Sequence, residues 1–412
     1  MGAARSCWRC SMALVALCLP LAAHADLGFD DATRLALDQA PSLLAQAHAV
    51  AGAQAAQPAA ATLPDPRLTL GIDNLPVSGA DRFRLTRDFM TMQRIGLMQE
   101  VPNRAKRDAR AAGAEARVVR ERAQLAVARL AVRREAALAW LAVHFAEARA
   151  AQLGSLEREN QLLQDTLNAR IAAGKAMPAE RTMARQEALV LADRRDELVR
   201  DIAAARAVLR RWVGQRGDEP LAGEPPAPAL QPDEVRADLH RHAEIEPYEA
   251  MQAQARAEIG EAEAERRGDW AWEVVYSRRG AQYGDMVSLQ VAMDLPWQRA
   301  QRQQPQVLAK LRELERLDAE REDLLRQHRA EVEAQLAELQ ALESQRTRLQ
   351  AAALPLADER VALALAGYQS GRGDLAAVLA ARRDAIETRL RLTTLDAQRL
   401  ALRVRLTTLI TE

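Results

Sequence analysis

The sequence predicts a mainly α-helical chain of long, tandem-duplicated helical hairpins that also carries two pairs of short amphipathic strands. Three observations predict it. Ala, Leu, Arg, Glu and Gln dominate the 412 residues, and aromatic residues make up only 3%, a composition of long helices rather than of a mixed globular core. One stretch occurs twice, as ARIAAGKAMPAERTMARQEALVLADRRDELVRDIAAARAVLRRW from Ala169 and as AGYQSGRGDLAAVLAARRDAIETRLRLTTLDAQRLALRVRLTTLI from Ala366. Laid together, Gly174 falls on Gly371, Lys175 on Arg372, Arg185 on Arg382 and Glu187 on Asp384, so a glycine turn followed by a long helix is repeated. Finally, four short runs alternate apolar and polar residues with a period of two, as half-buried strands do.

Bulk charge narrows the partners. The 57 basic and 57 acidic residues cancel, whereas nucleic-acid binding needs a cationic face. The N-terminus reads as a secretion signal over residues 1–25. Arg5 and Arg9 open it, Met12 to Ala23 forms an apolar core too short to span a bilayer, and Ala23-His24-Ala25 is an A-x-A cleavage site. Cys7, Cys10 and Cys18 all lie in this segment, so the expected mature chain has no disulfide and no cysteine metal site. Leu17 stands before Cys18 where a lipoprotein would need a small residue, so cleavage rather than lipidation is expected. No later apolar run approaches the ~20 residues of a spanning helix.

The first repeat is expected over 26–214. A helical region runs from Leu27 to Gln57, broken at Pro41 and ended by Pro58, Pro64 and Pro66. In the strand 67–73, Leu68, Leu70 and Ile72 share one face. A second strand, 89–101, puts Phe89, Ile95, Leu97 and Val101 on one face and Arg94, Gly96 and Glu100 on the other. From Asn103 to about Ile171 no proline intervenes, and Val118, Leu125 and Val132 stand seven apart. About 68 residues at ~1.5 Å each make a rod of about 100 Å. Gly174 and Pro178 turn the chain, and a return helix completes the hairpin 103–213. Residues 215–229 form a linker rich in Pro and Gly.

The second repeat, 230–412, follows the same order. A helical segment from Asp233 to Arg267 precedes strands 270–277 and 286–296. Trp270, Trp272, Val274 and Tyr276 share one face of the first strand, and Val287, Leu289, Val291, Met293 and Leu295 one face of the second. The hairpin 305–411 then carries a helix to Ala353, a break before Pro355, and a turn at Gly371 and Gly373. Its last helix has two seams, Leu379, Ile386 and Leu400 beside Leu390, Ala397 and Val404. Two seams suit a helix wedged between two neighbours.

The strands have the length and one-sided polarity of outer-membrane strands. Four cannot close a barrel, which takes about eight, and an open sheet edge in lipid costs several kcal/mol per unpaired group, on the order of a lost hydrogen bond each. A membrane reading therefore requires oligomers. Two soluble hairpins capping a helical bundle are the alternative.

The whole mature chain resembles the TolC-like outer-membrane factors of tripartite efflux pumps. The resemblance rests on FDDATRLALDQAPSL followed by LPDPRLTL, and on the duplicated turn-helix with YQSGRGDLAAVLAARRDAIE. The segment FMTMQRIGLMQEVPNRAKR is most similar to the heavy-metal, CzcC/CusC-like branch. The resemblance implies a homotrimer in the outer membrane, with each chain giving four strands to a twelve-stranded barrel and its helices to an α-helical tunnel across the periplasm. It implies a periplasmic adaptor protein and an inner-membrane pump of the resistance-nodulation-division type as partners, and no enzyme activity. It also places the turns 171–179 and 368–376 at the periplasmic tip. There Ile171, Gly174, Lys175, Met177, Tyr368, Gly371, Arg372, Asp374 and Leu375 are the expected docking and gating residues, Tyr368 matching a tyrosine that constricts the tunnel. The family's acidic residues beyond the glycine fall here on Ala377 and Ala380, which leaves Asp374 as the nearest acidic side chain.

Metal and catalytic chemistry find little support in the residues. His240, His242 and Glu244 cluster, with His240 and Glu244 on one helix face, and are expected to be solvated polar side chains. Met90, Met92 and Met98 on the second strand read as lining or packing. No phosphate loop, nucleophile elbow or HExxH occurs, so no cofactor is expected and transport energy must come from partners. The expectation is thus an exit duct for heavy-metal cations, against drug or organic-solute efflux or a type I secretion duct, and against a soluble periplasmic scaffold.

Overall fold

The computed structural model describes residues 26–237 and 242–409; the expected signal segment and His240 lie outside the described residues. Strand β1 (Leu27–Gly28) leads into helices α1 (Phe29–Gln39) and α2 (Pro41–Ala60). Pro41 occupies the first turn of α2, where its missing N–H leaves no bond unmade. Pro58 does not end this helix as expected. It lies inside the last turn, where one lost bond is tolerable, and the helix runs on to Ala60. Strands β2 (Arg67–Asp73) and β3 (Met92–Val101) follow, then α3 (Arg104–Ala172) and α4 (Pro178–Val213). The Asn103 side chain caps α3 by accepting from the Lys106 N–H at 3.0 Å.

The linker is more structured than its composition suggests. A short 3-10 turn (Gly214–Asp218) precedes strand β4 (Leu221–Ala222), which pairs in parallel with β1. Trp140 of α3 is fully buried and donates to the Leu27 carbonyl at 3.0 Å, packing with Leu209, Val213 and Val404 in the largest core cluster. The start of the chain, the linker and the last helix therefore meet at one level of the bundle.

The same succession of elements then returns: α5 (Pro232–Ala237), α6 (Glu246–Ala264), β5 (Trp270–Arg278), β6 (Met286–Met293), α7 (Gln303–Arg348), α8 (Leu354–Gln369) and α9 (Leu375–Thr407). The single helix expected over 233–267 is two, separated around the turn at 242–245. The break expected before Pro355 is absent. A π-helical stretch, Leu349–Ala353, carries α7 into α8 and places Pro355 in the first turn of α8, the widened turn absorbing the carbonyl that a proline leaves unpaired.

Helix α9 is wedged between the hairpins. Gln152 of α3 donates to Thr393 at 2.8 Å, while Arg346 of α7 reaches Asp396 at 2.6 Å and Arg403 reaches Glu343 at 2.6 Å. Helices α3 and α6 approach through small residues, with Gly113 facing Ala257 and Gly260 facing Ala109. Strands β2, β3, β5 and β6 form one antiparallel sheet in that order, leaving β2 and β6 as its edges.

Candidate tip turns and membrane sheet

The two tip turns close in the same way. Gly174 (φ 68°) and Gly371 (φ 74°) sit in the left-handed region, which glycine enters without strain. The Lys175 N–H reaches the Arg170 carbonyl at 2.8 Å and the Arg372 N–H reaches the Gly367 carbonyl at 3.0 Å, the six-to-one bond of a Schellman cap. Open space surrounds both glycines, so the positive φ is the whole requirement. Gly373 answers a different need, because a Cβ there would stand 3.1 Å from the Gly367 carbonyl carbon.

The helices that leave the turns are capped by carboxylates. Asp374 accepts from the Ala377 N–H at 2.8 Å, and Glu180 accepts from the Met177 N–H at 3.1 Å. Negative charge is favourable at both helix N-termini. Asp374 therefore has one oxygen engaged in starting α9, while Ala377 and Ala380 beside it are exposed and uncharged.

Not every expected tip residue faces outward. Gly174, Lys175, Met177, Gly371, Arg372 and Asp374 are exposed, and Ile171 is half-buried. Tyr368 and Leu375 turn inward. Leu375 is 1% exposed and packs with Leu167, Ala184, Val378 and Leu379, so it builds the core of the tip and presents no docking surface. Tyr368 shares that core, with the Arg170 guanidinium 4.6 Å from its ring centre. Its hydroxyl donates to the second oxygen of Glu180, across the two hairpins. Burial and the adjacent Glu180 carboxylate push the Tyr368 phenol up to about 12. Lower down, Arg383 of α9 pairs with the buried Glu187 of α4. Sequence reasoning missed Glu180 and Arg170. The spacing Met-Pro-x-Glu at a helix start was a usable signal for Glu180; nothing marked Arg170.

The sheet separates its chemistry by face. Registered rows run Leu68–Leu97–Val274–Leu289 and Leu70–Ile95–Tyr276–Val287 across all four strands. These rows are open to the surroundings, Leu70 and Leu289 at 73% and 72%. Trp270 and Trp272 lie on the same face. The opposite face carries Thr69, which donates to Glu273 at 3.2 Å, the pairs Arg94–Asp73 (3.3 Å) and Arg67–Glu100 (3.2 Å), and three methionines, Met92, Met98 and Met286. No helix among the described residues is long and apolar enough to cross a membrane.

A polar cluster lies in the bundle between the turn before α6 and helix α7. His242 and His328 stack at 3.7 Å between ring centres with 19° between planes. The expectation of solvated side chains fails for His242, which is only 3% exposed because His328, distant in sequence, covers it. Glu244 is exposed, as expected. Burial, then His328 and Arg134, lower the His242 imidazole to about 4. His328 Nε2 stands 3.3 Å from a Glu244 oxygen and its Nδ1 3.8 Å from Glu331.

No protein-family model matches the sequence, and no curated protein matches it. Solved structures do match over nearly the full length. CusC, studied for the conformational changes accompanying folding and transmembrane channel formation, superposes with a TM-score of 0.80 at 16% identity, covering 93% of this chain and 92% of that chain. The outer membrane protein VceC from Vibrio cholerae gives 0.76 at 19%, covering 92% and 95%. The Campylobacter jejuni CmeC outer membrane channel gives 0.77 at 12%, covering 92% and 84%. The chain thus has the fold of these outer-membrane proteins, long helical hairpins continued by a β-sheet that a single chain leaves open.

Proposed function

We propose that this chain is one protomer of a homotrimeric outer-membrane duct, the exit channel of a tripartite efflux system, conducting heavy-metal cations passively outward. The observation that carries the reading is the open four-stranded sheet with apolar rows on one face and ion pairs on the other. An open edge in lipid leaves backbone groups unpaired, so such a sheet enters a membrane only inside a closed ring. Three copies, each joining β6 to the β2 of the next, make twelve strands, an even number within the range of outer-membrane barrels. The apolar rows then face lipid and the polar face lines the lumen. A soluble scaffold offers no reason for the exposed leucine and valine rows.

The helical hairpins extend the duct into the periplasm, and the paired glycine turns form its far end. Lys175, Met177 and Arg372 present the charged and apolar contacts to which the hairpins of an adaptor protein dock. The Tyr368–Glu180 and Arg383–Glu187 links hold the hairpins together, so opening the end requires breaking them. Energy comes from an inner-membrane pump of the resistance-nodulation-division type, reached through the adaptor. Met92, Met98 and Met286 on the lumen face support a soft-metal cargo, since thioethers are soft ligands and a conduit must hold its cargo weakly.

A deletion strain tests the cargo. The reading predicts reduced tolerance to copper, silver, zinc, cobalt, nickel or cadmium, restored by the intact gene. Unchanged metal tolerance with raised sensitivity to organic solutes would move the cargo to that class and leave the duct standing. Recovery of the protein in the soluble periplasmic fraction would overturn the duct itself.

A further inference from the structure

The polar cluster in the bundle is unused by the duct. Buried imidazole nitrogens ordinarily find partners, yet neither His242 Nε2 nor His328 Nε2 has a hydrogen-bond partner among the described residues. One donor atom from each of His242, His328 and Glu244 lies within 4.8 Å of the others. We propose that His242, His328 and Glu244 form a binding site for a borderline divalent cation of the zinc, cobalt, nickel or copper kind, which clamps the turn before α6 to helix α7. This holds whatever the duct carries.

The donor set selects the ion class. Two imidazoles and one carboxylate suit zinc, cobalt, nickel and copper, whereas magnesium and calcium prefer oxygen alone. His242 and His328 are 3% and 5% exposed, so the site holds both imidazoles away from water. Glu331, 3.8 Å from His328 Nδ1, is placed to orient that ring from behind. Among the described residues Arg134 acts against positive charge at His242, while the Glu244 and Glu331 carboxylates lie beside His328.

Binding requires a rearrangement that the present geometry defines. A tetrahedral ion with bonds of about 2.0–2.2 Å needs donor atoms about 3–3.5 Å apart, so the cluster must contract. The stacked rings must also splay, because an ion lies in the plane of each ring it binds. His242 Nδ1 now accepts from the Glu244 N–H at 3.3 Å; ligation through Nε2 puts the ring proton on Nδ1, so this long bond is given up. The turn at 243–244 therefore shifts on binding, and the exposed Glu244 side chain closes the site.

The test uses the untagged full-length protein, stripped of metal and titrated with Zn²⁺ and Co²⁺ against a chromophoric chelator. The site predicts saturable binding of one ion per chain with a dissociation constant of about 10 μM or tighter, and visible Co²⁺ absorption typical of low coordination number. Mg²⁺ and Ca²⁺ at roughly millimolar concentration should not compete. His328→Asn should abolish the stoichiometric ion, and Glu244→Gln should weaken it by about tenfold or more. Should His328→Asn not fold, the exposed Glu244→Gln decides alone. The proposal is overturned by no saturable binding below about 100 μM, or by an affinity that Glu244→Gln leaves unchanged.

Discussion

Tyr368 ties the two hairpins together at the turns, its hydroxyl donating to Glu180, as Arg383 does further along through Glu187. Tyr368→Phe keeps the packed ring and removes the bond to Glu180, a charged acceptor, so it should weaken the tip by about 1–3 kcal/mol. The expected readout is raised open probability in single-channel recordings, with Arg383→Ala adding to it. Wild-type closure times in both variants would show that the links do not hold the end shut. The pH dependence has a definite sign. The phenol donates only while protonated, and its folded value is raised from 10 to about 12. Its contribution is complete below about pH 10 and is lost as the pH rises through the folded value. Spectroscopic titration of tyrosinate should show one transition moving to lower pH in Glu180→Gln. Gly371→Ala should cost about 1 kcal/mol through strain at positive φ, read as a lower Tm, with Gly174→Ala behaving alike. Both glycines were legible in the sequence because the repeat exposes them, whereas Tyr368 has Ile171 as its counterpart and was singled out only by the family resemblance. Arg170 and the His242–His328 stack were not legible, since each joins side chains that only the packed helices bring together.

At the scale of elements, alternation identified all four strands of the sheet because each has a single apolar face. The start of β3 was misplaced, at Phe89 rather than Met92, since Phe89 and Met90 extend the apolar pattern into a loop. That loop is tied down by Thr91, which donates to the Asn74 carbonyl at 3.0 Å. Pro355 misled for a related reason: a proline signals a break, and a π-helical turn accommodates it without one. The face assignment carries a direct prediction. If the apolar face meets lipid as proposed, Leu70→Arg or Leu289→Arg costs about 2–4 kcal/mol near the bilayer midplane. The outer-membrane yield should fall, while Ser288→Arg on the polar face should be tolerated; equal yields would refute the assignment. The junction of sheet and bundle rests on Asp269, which accepts from the Asn103 N–H at 2.8 Å and from Lys106 at 3.2 Å. Burial opposes its charge, but these donors outweigh it and hold the carboxyl below its usual range. That stabilisation is present above about pH 4 and is lost as pH falls through the depressed value. Asp269→Asn should lower Tm at neutral pH and flatten its fall in acid.

For the whole molecule, a single chain is visibly incomplete. The sheet has two free edges, and Leu356 and Leu363, seven apart on α8, stand exposed at 62% and 66%. A spacing of seven on a long helix is a coiled-coil seam waiting for a partner, and in the proposed ring a neighbouring chain covers it. The repeat explains why the architecture was readable from composition and order: each copy supplies two strands and one long hairpin. What covers the free faces is not encoded in any one chain's packing, so it rests on the argument from unpaired edges. The most direct test is the mass of the untagged protein extracted in mild detergent from the outer-membrane fraction. The account predicts a complex of three chains that withstands detergent and falls to single chains on heating. Single chains recovered without detergent from the soluble fraction would contradict it.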